Sequence, residues 1–346
     1  MDVIESAADW TAAEIAASEE FHLSLTQSEQ DELIAAAQSL KRETPLYTLG
    51  KADFAVNCLS SKLKELSWRL EQGIGAVIVD GLDISRLTTE QSEALFWGIG
   101  QHLGKPVSQS DHGELMMNIK DVPKESERED ARGVHSRHPL DFHTDLCDVV
   151  GMLSLQNAHV GGESMIVSSL AVHNAMAKER PDLLAALYEP VCYAQPRWDS
   201  VDEKTLEMRP VFAIEQGRFV SNYLRDFISW AQEDEGAPRL TQTQIEALDY
   251  LDALCNSDRF TYKFLLRPGQ MLFINNFVTY HSRTGFTDRE GARRLLLRLW
   301  LSMPDSRPLP ESYRTSYRRI GAGEERGGIY AGNVVSIERV GDEIIA

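Results

Sequence analysis

With 42% apolar and 25% charged residues among 346, the chain carries material for a sizeable core and lacks the composition of a disordered protein. A formal net charge of -18 repels phosphate backbones, and no cluster of lysine and arginine is long enough to reverse this locally, so nucleic acid is excluded as an expected partner. No apolar run approaches the roughly 18 residues of a membrane helix, and the first five residues have neither the basic nor the apolar part of a signal peptide; a cytoplasmic location without a membrane partner is expected.

Residues 1–72 read as an acidic helical lead that packs outside the core. Thr26, Gln27, Ser28 and Glu29 form a capping box, and Leu33, Ile34, Ala37 and Leu40 then recur at helical spacing. Leu63, Leu66 and Leu70 continue that pattern until Gly73 and Gly75 break it ahead of a β-rich run at 76–79. A further helix starts near Thr88 and runs to about Gly100. The stretch 108–141 has a short strand pattern at 115–119 and a block dense in both charges at 121–132, and its place before the motif described next makes it a candidate lid. Strands are expected at 148–155 and 163–167, then a helix capped by Ser168 and Ser169, and a second one opened by Pro181 and Asp182. Gln216 and Gly217 join 210–214 to 218–221 as a β-hairpin. A helical insertion fills about 224–257, with a capping box at Thr241 and Gln244. Strand patterns at 260–266, 270–274 and 295–303 close the core, and 304–346 is too rich in proline, glycine and charge to be anything but an irregular tail. Cys58, Cys147, Cys192 and Cys255 are scattered without a CxxC pair, which argues for reduced, mostly buried thiols rather than a zinc ribbon.

One segment carries chemistry. In Asp141-Phe142-His143-Thr144-Asp145 an imidazole and a carboxylate stand two residues apart, and on a strand they face the same side. His281, after another apolar run, is the best third ligand. Two histidines and one carboxylate leave open positions on a metal, the ligand set of non-haem Fe(II) oxygenases. Any one of these residues has an ordinary structural reading; His159 and His173 are read as surface or core residues. Their joint order along a chain of short strands carries the inference, and it fits a mainly β fold with helical insertions (α+β), a double-stranded β-helix or jelly roll flanked by helices.

Over roughly 73–303 the chain resembles the taurine dioxygenase/clavaminate synthase-like family of Fe(II)- and 2-oxoglutarate-dependent oxygenases. The matching features are His143-x-Asp145, the Gly161-Gly162-Glu163-Ser164 turn, the late His281, and Arg293-Arg294 followed by Arg298. The resemblance implies one oxygenase domain over 1–346, with His143, Asp145 and His281 as iron ligands and Fe(2+), 2-oxoglutarate and O2 as cofactor and cosubstrates. It also implies that Arg294 binds the distal carboxylate of 2-oxoglutarate, a task suited to a planar guanidinium, with Ser164 standing where relatives usually have threonine. Arg298 falls on the same strand face as Arg294 and is a candidate for substrate contact, as are His135, Arg137 and His138.

The implied reaction oxidises an unactivated C–H bond of a small molecule, with release of succinate and CO2. Hydroxylation is the first expectation; desaturation, ring formation and epimerisation share its early steps. Halogenation is disfavoured, because related halogenases have a small residue in place of Asp145. Two other classes stay open from the residues alone: a jelly-roll protein that binds a metal or small acid without turnover, and a zinc hydrolase with the same ligands. Arg132, Arg137 and Arg298 hint at an anionic or amino-acid-like substrate, and no oligomeric state is readable.

Overall fold

Alternation along the strands divides the apolar residues into an inner and an outer set, and the fold follows from that division. The computed structural model describes residues 2–40, 44–122, 133–194, 206–332 and 334–338. The first strands are β1 (His22–Ser24), β2 (Ala76–Asp80), β3 (Lys105–Pro106), β4 (Met116–Ile119), β5 (Leu140–His143), β6 (Val149–Gln156), β7 (Val160–Gly161) and β8 (Ser164–Ser168). They are followed by β9 (Val191–Ala194), β10 (Leu206–Arg209), β11 (Phe212–Glu215), β12 (Arg218–Ser221), β13 (Tyr262–Phe264), β14 (Met271–Asn275), β15 (Thr279–Arg283), β16 (Phe286–Thr287) and β17 (Leu295–Ser302).

A seven-stranded sheet has the order β1-β2-β14-β6-β17-β3, with β4 also paired to β17; a four-stranded sheet has the order β13-β8-β15-β5. On β17, Leu295, Leu297, Leu299 and Leu301 pack outward with the helices Gln27–Ser39, Ser60–Glu71 and Thr89–Leu103, whereas Leu296 and Trp300 belong to the interior. On the smaller sheet Phe142, Val167 and Tyr280 pack outward against Ser169–Glu179, Pro181–Tyr188 and Gln242–Cys255, while Ile166 joins the interior cluster. The result is a jelly-roll sandwich whose outer faces are covered by helices, as expected from the strand and helix patterns.

Several details differ from the sequence expectation. The helical lead also contributes β1, which pairs in parallel with β2 at the edge of the large sheet. The helix from Thr89 extends to Leu103, and the expected strand at 260–266 shortens to β13. Both capping boxes are present, at Thr26 with Glu29 and at Thr241 with Gln244. The hairpin turn forms with positive φ at Gln216 and Gly217, the geometry that matches strand twist. The insertion 224–257 splits into Arg225–Glu233 and Gln242–Cys255. Part of the candidate lid is sheet, since β4 pairs with β17, and its residues 123–132, Arg132 included, lie outside the described residues. The tail carries a 3-10 turn, Glu311–Tyr313, and a short helix, Arg314–Tyr317; Tyr313, Tyr317 and Arg326 are buried, and the Arg326 Nε donates to Asp148 Oδ1 at 2.7 Å. All four cysteines are free thiols, Cys58 exposed and the rest buried. No described helix is long and apolar enough to cross a membrane.

Candidate active site

Antiparallel pairing of β15 with β5 sets His281 directly opposite His143, with ring centroids 4.4 Å apart. Asp145 does not share the strand with His143, contrary to expectation: β5 ends at His143, and Asp145 sits in the following loop. What returns it to the histidines is a set of buried polar anchors. The Thr144 backbone N–H donates to the Tyr223 carbonyl at 2.9 Å, its hydroxyl accepts from Tyr223 N at 3.1 Å and Asn222 Nδ2 at 3.0 Å, and Asp145 N donates to Asn276 Oδ1 at 3.0 Å. Ligand-capable atoms of His143, Asp145 and His281 then all lie within 4.8 Å of one another. His143 Nε2 is 4.0 Å from Asp145 Oδ1, and His281 Nε2 is 3.5 Å from Asp145 Oδ2.

The three groups fit a metal chemically as well as spatially. Atoms bonded at about 2.1 Å to one ion lie roughly 3–4 Å apart, which matches these separations. His143 Nδ1 is 2.8 Å from the Asp141 carbonyl, which only accepts, so Nδ1 carries the proton and Nε2 offers its lone pair inward. Burial, and then the neighbouring His281, push the His143 imidazole down to about 4, so it is neutral and ready to ligate at neutral pH. Burial pushes the Asp145 carboxyl up, but Arg298 and the two histidines outweigh it and hold the group well below the usual carboxylate range. Trp300 Nε1 donates to Asp145 Oδ2 at 2.9 Å, and Arg298 Nη1 lies 3.7 Å from the same oxygen.

A second polar cluster lies where β8, β15 and the start of β17 meet. Arg294 stands immediately before β17, not on it, and is buried while its neighbour Arg293 is exposed. Its Nη1 is sealed from solvent and has no hydrogen-bond partner among the described residues. A Cβ at Gly162 would come within 2.9 Å of Arg294 Nε, and Gly162 has a φ of +74°, so only glycine suits this place. Ser164, on β8, is buried and pairs across the sheet with Arg283 on β15. Arg283 is likewise buried, with Nε and Nη1 lacking partners among the described residues. Both guanidiniums lie over the Phe286 ring, at 4.9 Å for Arg283 and 5.3 Å for Arg294. Burial, followed by the charge of Arg283, lowers Arg294 to about 9. An anion is the chemical complement of such donors.

The remaining candidates are placed differently. Arg298 faces inward as its strand register predicts, but it is committed to the carboxylate of Asp145 and to Gln109, whose Oε1 accepts from Arg298 Nε at 2.7 Å. His135 faces Glu338, with Nε2 3.6 Å from its carboxylate. Arg137 is 3.7 Å from Asp121, and both Arg137 and His138 are exposed on the approach to β5. Arg283, Trp300, Asn276, Gln109 and Thr144 escaped the sequence reading. Two of them had a signal: Arg283 is two residues from His281, and Trp300 two from Arg298, hence on the same strand faces.

Residues 40–300 match the family described as taurine catabolism dioxygenase TauD, TfdA family. FR-33289 synthase of Streptomyces rubellomurinus (strain ATCC 31215) is 26% identical over 317 residues, spanning 88% of this chain and 92% of that protein. An asparagine oxygenase solved with Fe(II), 2S,3S-3-hydroxyasparagine and succinate superposes with a TM-score of 0.64 at 19% identity, over 87% of this chain and 99% of the other. The non-haem iron oxygenase OrfP, solved with Fe and alpha-ketoglutaric acid, gives 0.62 at 17% identity, over 81% and 94%. Neither a non-catalytic binding protein nor a zinc hydrolase is among these relatives. The family match spans both histidines, the carboxylate and the arginine pair, and the chain belongs to the TauD/TfdA family as a non-haem iron dioxygenase that uses 2-oxoglutarate and O2.

Proposed function

We propose that this dioxygenase hydroxylates an aliphatic C–H bond of a small amino-acid-like or anionic molecule, with His143, Asp145 and His281 holding the iron and Arg294 and Ser164 holding the far carboxylate of 2-oxoglutarate. The observation that carries the reading is the convergence of two imidazole Nε2 atoms on one ionised carboxylate, in the same sandwich as a buried guanidinium whose Nη1 has no acceptor among the described residues. Iron, 2-oxoglutarate and O2, when bound, supply the oxidising equivalent and release succinate and CO2. The chain supplies everything else. Arg298 and Trp300 keep Asp145 ionised and oriented, and the Asp141 carbonyl fixes the His143 tautomer. Arg294 orients the cosubstrate by its far end, and the apolar interior around Ile166 and Leu296 excludes water.

A carboxylate at Asp145 occupies the position that halogenation leaves vacant, which favours hydroxylation. The solved asparagine oxygenase holds a hydroxylated amino acid, and OrfP has been solved with (3S)-hydroxy-L-Arg, which supports an amino-acid-like substrate. Arg137 and His138 are exposed on the segment leading to β5 and are assigned to first substrate contact; His135, turned to Glu338, is assigned to holding that segment. The protein acts as a single domain in the cytoplasm. The test is succinate formation by Fe(II)-loaded protein with 2-oxoglutarate and a panel of amino acids and small anions. Turnover lost in His143→Ala and rescued in Arg294→Lys only by excess 2-oxoglutarate is the expected result; succinate formation unchanged in His143→Ala would overturn it.

A further inference from the structure

Arg283 has no assigned task, yet its surroundings are those of a ligand-binding group. It lies two residues beyond His281 on β15, so its side chain shares the face that bears the histidine. Its cross-strand partner on β8 is Ser164, which sits two residues after the Gly162 that cradles Arg294. Nη2 is occupied, donating to the carbonyls of Ser136 (2.8 Å) and His138. Nε and Nη1 are buried and have no acceptor among the described residues. The charge of Asp121 reaches Arg283, but that carboxylate is engaged with Arg137 at 3.7 Å. Thus two buried cations, Arg283 and Arg294, share the Phe286 ring and repel one another, with three buried donor nitrogens left over.

A strut between β15 and the 136–138 carbonyls would need only the Nη2 end; it does not account for a charge buried beside another of the same sign. An anion between them does, because it fills the vacant donors and cancels the repulsion. Resting on the cosubstrate assignment above, we propose that Arg283 is a second cation of the cosubstrate pocket, bound to the distal carboxylate beside Arg294. Through the Ser136 and His138 carbonyls it ties cosubstrate binding to the order of the segment that leads into the metal strand.

The experiment compares 2-oxoglutarate with 2-oxobutyrate, which has the same metal-binding end and no distal carboxylate. Affinities are measured by calorimetry on Fe(II)-loaded protein without oxygen, for wild type, Arg283→Gln, Arg283→Lys and Arg294→Lys, with melting temperatures recorded for each. Loss of a charged hydrogen bond at the distal end narrows the preference for 2-oxoglutarate by about tenfold to hundredfold in Arg283→Gln and leaves 2-oxobutyrate nearly unchanged. Arg283→Lys, which keeps the charge, recovers part of the preference. Hydrogen exchange over 133–140 slows when 2-oxoglutarate is added to wild type and does not in Arg283→Gln. A preference equal to wild type in both Arg283 variants, or an equal loss for both acids, overturns the proposal and leaves Arg283 a strut. A wild type that does not prefer 2-oxoglutarate to 2-oxobutyrate sinks the cosubstrate assignment itself, an outcome separable from the failure of Arg283 alone.

Discussion

Replacing Trp300 by phenylalanine isolates what holds the metal carboxylate in place. The indole donates at 2.9 Å to Asp145 Oδ2, and both residues are buried, at 5% and 6% exposure, so water does not replace the bond. A hydrogen bond to an ionised group contributes about 1.5–3 kcal/mol, and each 1.4 kcal/mol is tenfold in affinity. Arg298, 3.7 Å from the same oxygen, keeps the carboxylate ionised in the variant, which puts the expected loss at the lower end. Fe(II) affinity then falls about tenfold, in line with the usual weight of residues behind a metal ligand. The smaller ring also leaves a gap in the core, lowering stability by about 1–2 kcal/mol. Calorimetric titration of metal-free protein with Fe(II) under nitrogen reads the first effect, and chemical denaturation reads the second. A metal affinity within twofold of wild type, with stability reduced, would show that the indole only fills space and refute the reasoning.

Gly162→Ala forces a side chain into a left-handed backbone and to within 2.9 Å of Arg294 Nε; 2-oxoglutarate affinity is expected to drop at least tenfold while Fe(II) affinity holds, and equal losses of both would count against a cradle specific to Arg294. Thr144→Val keeps the shape of the linker between the ligands but strips the acceptor from Asn222 Nδ2 and Tyr223 N, at a cost of about 2–4 kcal/mol in denaturant unfolding; a variant as stable as wild type would mean those donors find other partners. The His143 imidazole is pushed down to about 4 from an ordinary value near 6.5, so in metal-free protein its contribution is complete above pH 6.5 and is lost as the pH falls through 4. That loss amounts to about 3 kcal/mol, and His143→Gln should flatten the pH dependence of unfolding over this window. Unchanged steepness in the variant would place the acid sensitivity elsewhere.

What the sequence determined was the identity of the reactive groups and the period of the elements. Imidazole and carboxylate have few uses in the order His143, Asp145, His281, and leucines at alternate positions in 295–301 leave little choice but a strand with one face outward. Capping boxes and the Gln216-Gly217 turn are local chemistry, written in adjacent residues and legible there. Tertiary structure decided where those groups meet and what supports them. Asp145 lies beyond the end of β5, and its position depends on Thr144, Tyr223 and Asn276, which are distant in sequence and generic in type. That Arg298 sits by Asp145 and Gln109 is set by the pairing of β17 with β6 and β4, which decides which interior groups its guanidinium reaches. Arg283 became visible only once β8 and β15 were in register, since an arginine two residues from a histidine has no meaning until the groups around its nitrogens are known. Within the tail, irregular by composition, Arg326 is buried because it needs the carboxylate of Asp148 and Asp148 needs a cation, a complementarity across 178 residues that no local pattern carries.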